Sequence, residues 1–281
     1  MLWFGRQAKG QGAGEDADVV QPAPLEITLD PDIAATKLRS LTKGMAEVGG
    51  AEQFVEALRS KHELFIQLLP AEGGDNLTRD SFFHMLEAVF SARRRLTSFF
   101  NEQDELVYLG AVRDLVYGKG SLTERMERFA EIVPADRKKQ RRGIRDLAAE
   151  ILHFRDPERI PLMTNWVWDT ATVSGAVREL IRYNDTMETI PLGTRPEDYE
   201  AVRQWVAEQL AANGFYRDIP YLVDLLLGHT YAEYAKAMSS GLGMVDQQFG
   251  AQQDPMEFTA KLLGLDARMG GKSRLKDPTV H

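Results

Sequence analysis

Two residues near the middle of the chain are of the types that bind a metal ion. Glu150 and His153 form an E-x-x-H pair, which places a carboxylate and an imidazole on one face of a helix. A carboxylate-bridged di-iron site needs two such pairs, and no other histidine has a glutamate three residues before it. A metal-dependent helical enzyme is therefore the weakest of three hypotheses. The sequence predicts no catalytic set, no metal site and no cofactor.

A group of cationic residues precedes this pair and could contact phosphate. It consists of Arg137, Lys138, Lys139, Arg141, Arg142 and Arg145. Such side chains at the start of a helix contact nucleic-acid phosphates, or the carboxylates of an acidic protein partner. A smaller cluster, Arg93 to Arg95, allows the same two interpretations. The formal net charge of −8 favours a solvated helical turn or an acidic protein partner over nucleic acid.

Other chemistry has little support in the sequence. The chain contains no cysteine, which excludes disulfides, thiolate metal sites, iron–sulfur clusters and cysteine nucleophiles. His229 and Glu233, with Tyr231 and Tyr234, form a polar group within a predicted helix. Histidine and tyrosine on a half-buried helix more often occupy core or interface positions than catalytic ones.

The segment that positions the cationic group runs from Arg141 to Tyr183 and reads as two packed helices. The first has an apolar stripe at helical spacing, formed by Ile144, Leu147, Ile151 and Leu152. Asp156-Pro157 ends it, because the residue before a proline is pushed out of the α region. A second helix is predicted from Trp166, with its inner face formed by Val173, Val177, Leu180 and Ile181.

Part of this region, about Leu115 to Tyr183, resembles the helix-hairpin-helix proteins of the DNA-glycosylase type. The segment RGIRDLAAEILHFRDPERIPLMTNWV carries the resemblance, together with the preceding LVYGKGSLTERMERFAEIV. In that family a glycine-flanked hairpin offers backbone N–H groups to phosphate. Gly143 matches one glycine, Arg145 occupies the position of the other, and the catalytic lysine and aspartate are not matched. The resemblance implies a degenerate nucleic-acid-binding domain that uses Arg137 to Arg145, without glycosylase chemistry.

Apolar periodicity and capping residues predict an all-α fold, with one domain of about ten helices over residues 25–265. A short extended piece at 25–29 precedes the first helix. The other predicted helices cover Pro31 to Val48, Ala51 to Leu69, Thr78 to Phe100, Gln103 to Tyr117, Ser121 to Val133, Thr194 to Gly214, Asp218 to Met238 and Asp254 to Leu263. Asp30, Ser121 with Glu124, Thr194 with Glu197, and Asp254 are the predicted caps.

Both ends of the chain are predicted to be flexible, at residues 1–24 and in the basic stretch 266–281. The N-terminal tip Leu2, Trp3 and Phe4 could dock on a partner or fold back. Trp168 could lie at an interface, while Trp166 belongs to the core. The sequence has no signal peptide and no apolar run long enough to span a bilayer, so a cytoplasmic location is expected. The leading hypothesis is a non-enzymatic helical adaptor that contacts another protein. The sequence does not indicate its oligomeric state.

Overall fold

The computed structural model describes residues 19–71, 73, 77–241 and 254–266. Their structure confirms the all-α prediction. These residues form ten α-helices, with backbone bridges only at two isolated positions. In chain order they are α1 (Pro31–Glu47), α2 (Ala51–Leu68), α3 (Arg79–Glu87), α4 (Phe90–Asn101), α5 (Glu105–Tyr117), α6 (Leu122–Ala130), α7 (Lys138–Arg155), α8 (Pro196–Ala212), α9 (Ile219–Gly241) and α10 (Pro255–Leu262). Short 3-10 turns lie at Arg178–Leu180 and Asn184–Thr186. No described helix has the length and apolar character needed to cross a bilayer.

Three of the predicted caps are confirmed at the starts of helices. The Asp30 carboxylate accepts hydrogen bonds from the backbone N–H groups of Asp32 and Ile33, at 2.9 and 3.3 Å. Asp254 caps α10 in the same way, and Ser121 with Glu124 closes a reciprocal capping box on α6. Each of these side chains satisfies N–H groups that the first turn of a helix leaves without a partner. Leu29 is extended and pairs with Ile181, as expected for the 25–29 segment.

Helix α7 is the central element of the fold. It packs against α2, α4, α5 and α6, and every residue from Asp146 to Phe154 is buried. The second packing centre is α9, which contacts α1, α2, α8 and α10. A hydrogen bond from His153 on α7 to Asp224 on α9, 2.8 Å long, joins the two centres inside the protein.

The predicted helix from Thr78 to Phe100 is wrong in one respect, because it breaks into α3 and α4 at Ala88 and Val89. The break is where the end of α10 approaches. A Cβ atom at Gly264 would lie 1.9 Å from the carbonyl oxygen of Ala88, so only glycine allows this contact. A long-range packing interaction therefore interrupts a helix that local periodicity favours.

The helix predicted from Trp166 to Ile181 is also wrong. Asp169 and Ser174 exchange backbone hydrogen bonds of 2.8 and 3.2 Å, and Ala176 donates to the carbonyl of Trp166. This turn needs Gly175, which has φ 128° and whose missing Cβ would lie 2.6 Å from the Val167 carbonyl oxygen. The turn prevails over the apolar spacing, although Val177 and its apolar neighbours are still buried.

Two predicted boundaries shift by a few residues. The start of α8 is set by Pro196 in its first turn, so the capping box forms between Arg195 and Asp198 instead of Thr194 and Glu197. The sequence places residues 19–24 in the N-terminal tail, but Val20 is buried and the backbone N–H of Ala23 donates to the carbonyl of Glu197. Asp266, the first residue of the predicted C-terminal tail, forms an ion pair with Arg93 at 2.9 Å. The remaining predicted tail residues, 1–18 and 267–281, lie outside the described residues.

Candidate functional site

The two arginine-rich clusters of the sequence lie side by side where α4 crosses α7. The two helices run in opposite directions, since Arg137 lies over the ring of Phe99 and Gly143 lies against Arg95. A Cβ atom at Gly143 would be 3.5 Å from the Cβ and Cδ atoms of Arg95. This close packing brings the exposed cations of both helices onto one surface.

We call this surface the basic face and define it by its exposed cations. They are Arg94, Arg95, Lys138, Lys139, Arg142 and Arg145; Arg137 is exposed as well but lies over the ring of Phe99 and is not counted here. On α7 the charges occupy only the N-terminal half, because the C-terminal half is enclosed by other helices. No local pattern in the sequence indicates that α4 lies next to α7, so the two clusters could not be predicted to share a surface.

The cations of the basic face differ in how far their charge is already balanced. Arg142 is paired with the carboxylate of Asp169 at 2.5 Å, and its side chain remains 47% exposed. Lys138, Lys139 and Arg145 make no hydrogen bond or ion pair with another residue that the structure describes. These three therefore have the most positive charge to offer a ligand.

Two members of the predicted cationic group have structural partners instead. The guanidinium of Arg141 donates to the Val133 carbonyl oxygen at 2.6 Å, and it is only partly exposed. Arg137 lies 5.7 Å from the ring centroid of Phe99, a distance at which a cation is attracted to an aromatic ring. Arg141 thus ties α7 to the connection that follows α6, and Arg137 packs the start of α7 on α4.

The N-terminus of α7 adds positive charge of its own. Arg137 occupies the N-cap position without a side-chain hydrogen bond to the backbone, and the first turn contains no acidic residue. The backbone N–H of Lys138 donates to the Asp136 carbonyl at 3.0 Å. The other N–H groups of the first turn and the helix dipole both favour an anion here. An acidic ligand would relieve the unfavourable placement of cations at this helix end.

Gly143 and Arg145, which align with the two glycines of the family hairpin, both lie within α7. Gly143 is buried there, where it allows contact with Arg95 and Leu96. The chain between α6 and α7 does turn, but the glycine that matched the family hairpin is not part of that turn.

A line of buried polar side chains follows one side of α7. Asp146 accepts hydrogen bonds from the backbone and side-chain amides of Asn165, at 2.9 and 2.7 Å. Burial raises the pKa of Asp146 above its ordinary value, although the Asn165 hydrogen bonds and the nearby Arg95 oppose that change. This carboxylate anchors the 164–169 segment to α7 directly below the basic face.

Glu150 and His153, the proposed metal ligands, bind different partners. Glu150 is 2.7 Å from the ammonium of Lys61, while His153 contacts Asp224 and the carbonyl of Ile160. Burial raises the pKa of Glu150, and Lys61 opposes that shift. The described residues contain no group of three or more potential ligands around one point. The geometry therefore gives the metal-enzyme hypothesis no support.

A second polar cluster lies between α1 and α9, and it includes two residues, Lys37 and Ser40, that the sequence did not single out. Ser40 is 3.1 Å from His229 Nε2 and donates to Glu233 at 2.5 Å, while Lys37 pairs with Glu233 at 2.8 Å. Burial opposes ionisation of Glu233, but these hydrogen bonds outweigh it and lower its pKa to about 2. His229 Nε2 faces both the hydroxyl and the carboxylate, an arrangement that links α1 to α9.

Two surface depressions lie away from these buried groups. Both are shallow, with volumes of about 570 and 330 Å³, and run along the extended segment near Glu26. The larger is bordered by Asp30, Asp32 and Arg182, and Arg182 forms an ion pair with each of the two aspartates. Neither is lined by Glu150, His153 or His229.

Of the four predicted docking residues, only Trp168 belongs to the part of the chain that the structure describes. Trp168 is 2% exposed and its indole N–H donates to the Leu192 carbonyl at 3.1 Å, so its assignment to an interface was wrong. Trp166 is buried as expected. Leu2, Trp3 and Phe4 lie outside the described residues.

Comparison with known proteins found no matching family, no matching curated protein and no matching solved structure.

Proposed function

We propose that this chain is a non-enzymatic helical binding protein whose basic face holds an acidic segment of a protein partner. The observation that carries the proposal is the meeting of α4 and α7, which gathers cations from two separate parts of the sequence. Lys138, Lys139 and Arg145 are exposed there without a partner among the described residues. The proposal places this activity in the cytoplasm, as the sequence suggested.

The size of the basic face favours a short acidic segment over a long polyanion. Lys138 and Arg145 are separated by about 10 Å along the helix axis, at roughly 1.5 Å per residue. A nucleic acid extends its charge well beyond such a distance, onto the rest of a chain whose net charge is −8. A stretch of aspartates and glutamates can match the face without meeting that repulsion.

Nucleic acid is the second candidate, and the start of α7 is the observation that favours it. The uncapped N–H groups there are suited to a phosphate, and Arg142 and Arg145 lie on the following turns. This candidate predicts steep loss of binding as salt is added, because phosphate contacts release counterions.

A titration of labelled probes at low salt distinguishes the two candidates. The probes are a short oligoglutamate, a DNA single strand and a DNA duplex, with fluorescence anisotropy as the readout. We expect the oligoglutamate to bind, and the double substitution Lys138→Glu and Arg145→Glu to weaken it about tenfold. Lys43→Glu is the matched control, because Lys43 is exposed on α1, away from α4 and α7. Tighter binding of DNA that the double substitution removes would replace the proposal by the second candidate. Failure of every probe to bind would reject both.

A further inference from the structure

The described chain begins close to the start of α8. Val20 is buried, and the backbone N–H of Ala23 donates to the carbonyl of Glu197 at 3.0 Å. Residues 1–18 are therefore attached to the domain at this point. What these residues can reach depends on which surface lies nearby.

A short series of contacts leads from this attachment point to the basic face. Tyr199, on the first turns of α8, donates its hydroxyl hydrogen to the Trp168 carbonyl at 2.9 Å. The next residue, Asp169, forms the ion pair with Arg142. Through Tyr199 and the 168–169 segment, the first turn of α8, where Ala23 is bonded, is thus linked to Arg142.

The charges of the two chain ends differ in sign next to the domain. Glu15, Asp16 and Asp18 immediately precede the attachment point. At the other end, residues 267–281 carry Arg268, Lys272, Arg274 and Lys276, which the basic face would repel. Of the two ends, the N-terminal one has the complementary charge.

An aromatic strip on α9 borders Arg142. It suits the apolar tip of the N-terminal segment, as its acidic residues suit the basic face. Tyr231 and Tyr234 are half-buried, with ring centroids 5.9 Å apart, and Trp166 lies 6.3 Å from Tyr231. Burial and Tyr234 raise the pKa of Tyr231, and the nearby Arg142 opposes this. The apolar tip of the chain, Leu2 to Phe4, suits such a surface.

The chain is long enough to reach both surfaces at once. The stretch from Trp3 to Val19 spans up to roughly 50 Å when extended, at about 3.3 Å per residue. The acidic residues, which are closer to the attachment point, would reach the nearest cations first. The entropic cost of closing such a loop grows only slowly with its length.

We propose that residues 1–18 of this chain fold back on the basic face, so that they compete with the external partner. In this arrangement Glu15, Asp16 and Asp18 pair with Lys138 and Arg145, and the Leu2 to Phe4 tip packs on Tyr231 and Tyr234. This inference goes beyond the proposed function and rests on it, because both use the basic face. The N-terminal segment then sets the affinity for the partner by occupying its site.

The first experiment compares full-length chains that differ only in the N-terminal segment. One variant carries Trp3→Ala, Glu15→Gln, Asp16→Asn and Asp18→Asn. We expect it to bind oligoglutamate about fivefold more tightly than the natural chain, as for a segment that covers the face most of the time. The matched control, Arg6→Gln with Lys9→Gln, makes the segment more acidic and is expected to weaken the binding. Equal affinity of the natural chain and the first variant would overturn the inference.

The second experiment uses no oligoglutamate, so it still decides the inference if the proposed function fails. A labelled peptide of residues 1–18 is titrated into the first full-length variant, followed by anisotropy. We expect saturable binding that Lys138→Glu with Arg145→Glu weakens and Lys43→Glu leaves unchanged. No binding, or binding that is unaffected by the double substitution, would show that the segment does not occupy the basic face.

Discussion

The ammonium group of Lys61 lies 2.7 Å from the carboxylate of Glu150, and both side chains are fully enclosed in the helical domain. Lys61 also donates to the Leu263 carbonyl at 2.8 Å and lies 3.9 Å from the ring centroid of Phe154. This pair joins α2, α7 and the end of α10. A buried pair of charges is costly to separate, because each ion has lost its water.

The first prediction concerns the loss of one member of this pair. Lys61→Met is expected to lower the free energy of unfolding by about 3–5 kcal/mol, since it leaves Glu150 buried without its cation. Adding Glu150→Leu should recover much of the loss, because the second change removes the unpaired charge. Urea denaturation measures both effects, with the exposed Lys43→Met as control. A single variant as stable as the control would contradict the buried pair.

The second prediction is a loss of stability in acid that depends on Glu233. Its folded pKa is about 2, below the unfolded value of 4.5, so ionised Glu233 stabilises the fold fully above pH 4.5. That contribution is lost as the pH falls from 4.5 towards 2. Glu233→Gln should therefore destabilise the protein most at neutral pH, with the deficit shrinking across this window. A deficit that stays constant with pH would count against the depressed pKa.

The third prediction has the opposite sign and concerns Asp146. Because burial raises its folded pKa above the unfolded value of 3.8, protonation of Asp146 favours the folded state. As the pH falls from neutral towards 3.8, the natural chain should therefore gain stability relative to Asp146→Asn. Chemical denaturation at several pH values measures this difference. A difference that moves the other way would show that the Asn165 hydrogen bonds outweigh burial.

The fourth prediction compares two glycines. Gly175→Ala should destabilise the fold by about 3 kcal/mol, because φ is 128° and the new Cβ would lie 2.6 Å from the Val167 carbonyl oxygen. Gly110→Ala should instead add about 0.5–1 kcal/mol, since Gly110 is helical and no atom lies within 4 Å of its added Cβ. Thermal unfolding of both variants measures the contrast. Similar effects at the two positions would contradict the turn at 169–175.

The sequence was most informative where neighbouring residues decide the structure. Asp30, Ser121 and Asp254 each cap a helix through backbone groups two or three residues away, so their roles could be predicted locally. The all-α class followed from apolar periodicity for the same reason.

Prediction failed where distant parts of the chain meet. The approach of Gly264 to Ala88 breaks a helix, and no local pattern near Ala88 indicates it. The pairing of Lys61 with Glu150 and the meeting of α4 with α7 likewise depend on tertiary packing. The cationic residues of the candidate site could therefore be found from the sequence, while the surface that they form together could not.

The dependence of oligoglutamate binding on salt tests the basic face most directly. We predict that the affinity of the natural chain and of Lys43→Glu falls with increasing salt along the same slope, because exposed cations make the contact. The double variant Lys138→Glu and Arg145→Glu should bind more weakly and with a shallower slope. Binding that is insensitive to salt, or an unchanged slope in the double variant, would contradict the assignment of the partner site to the basic face.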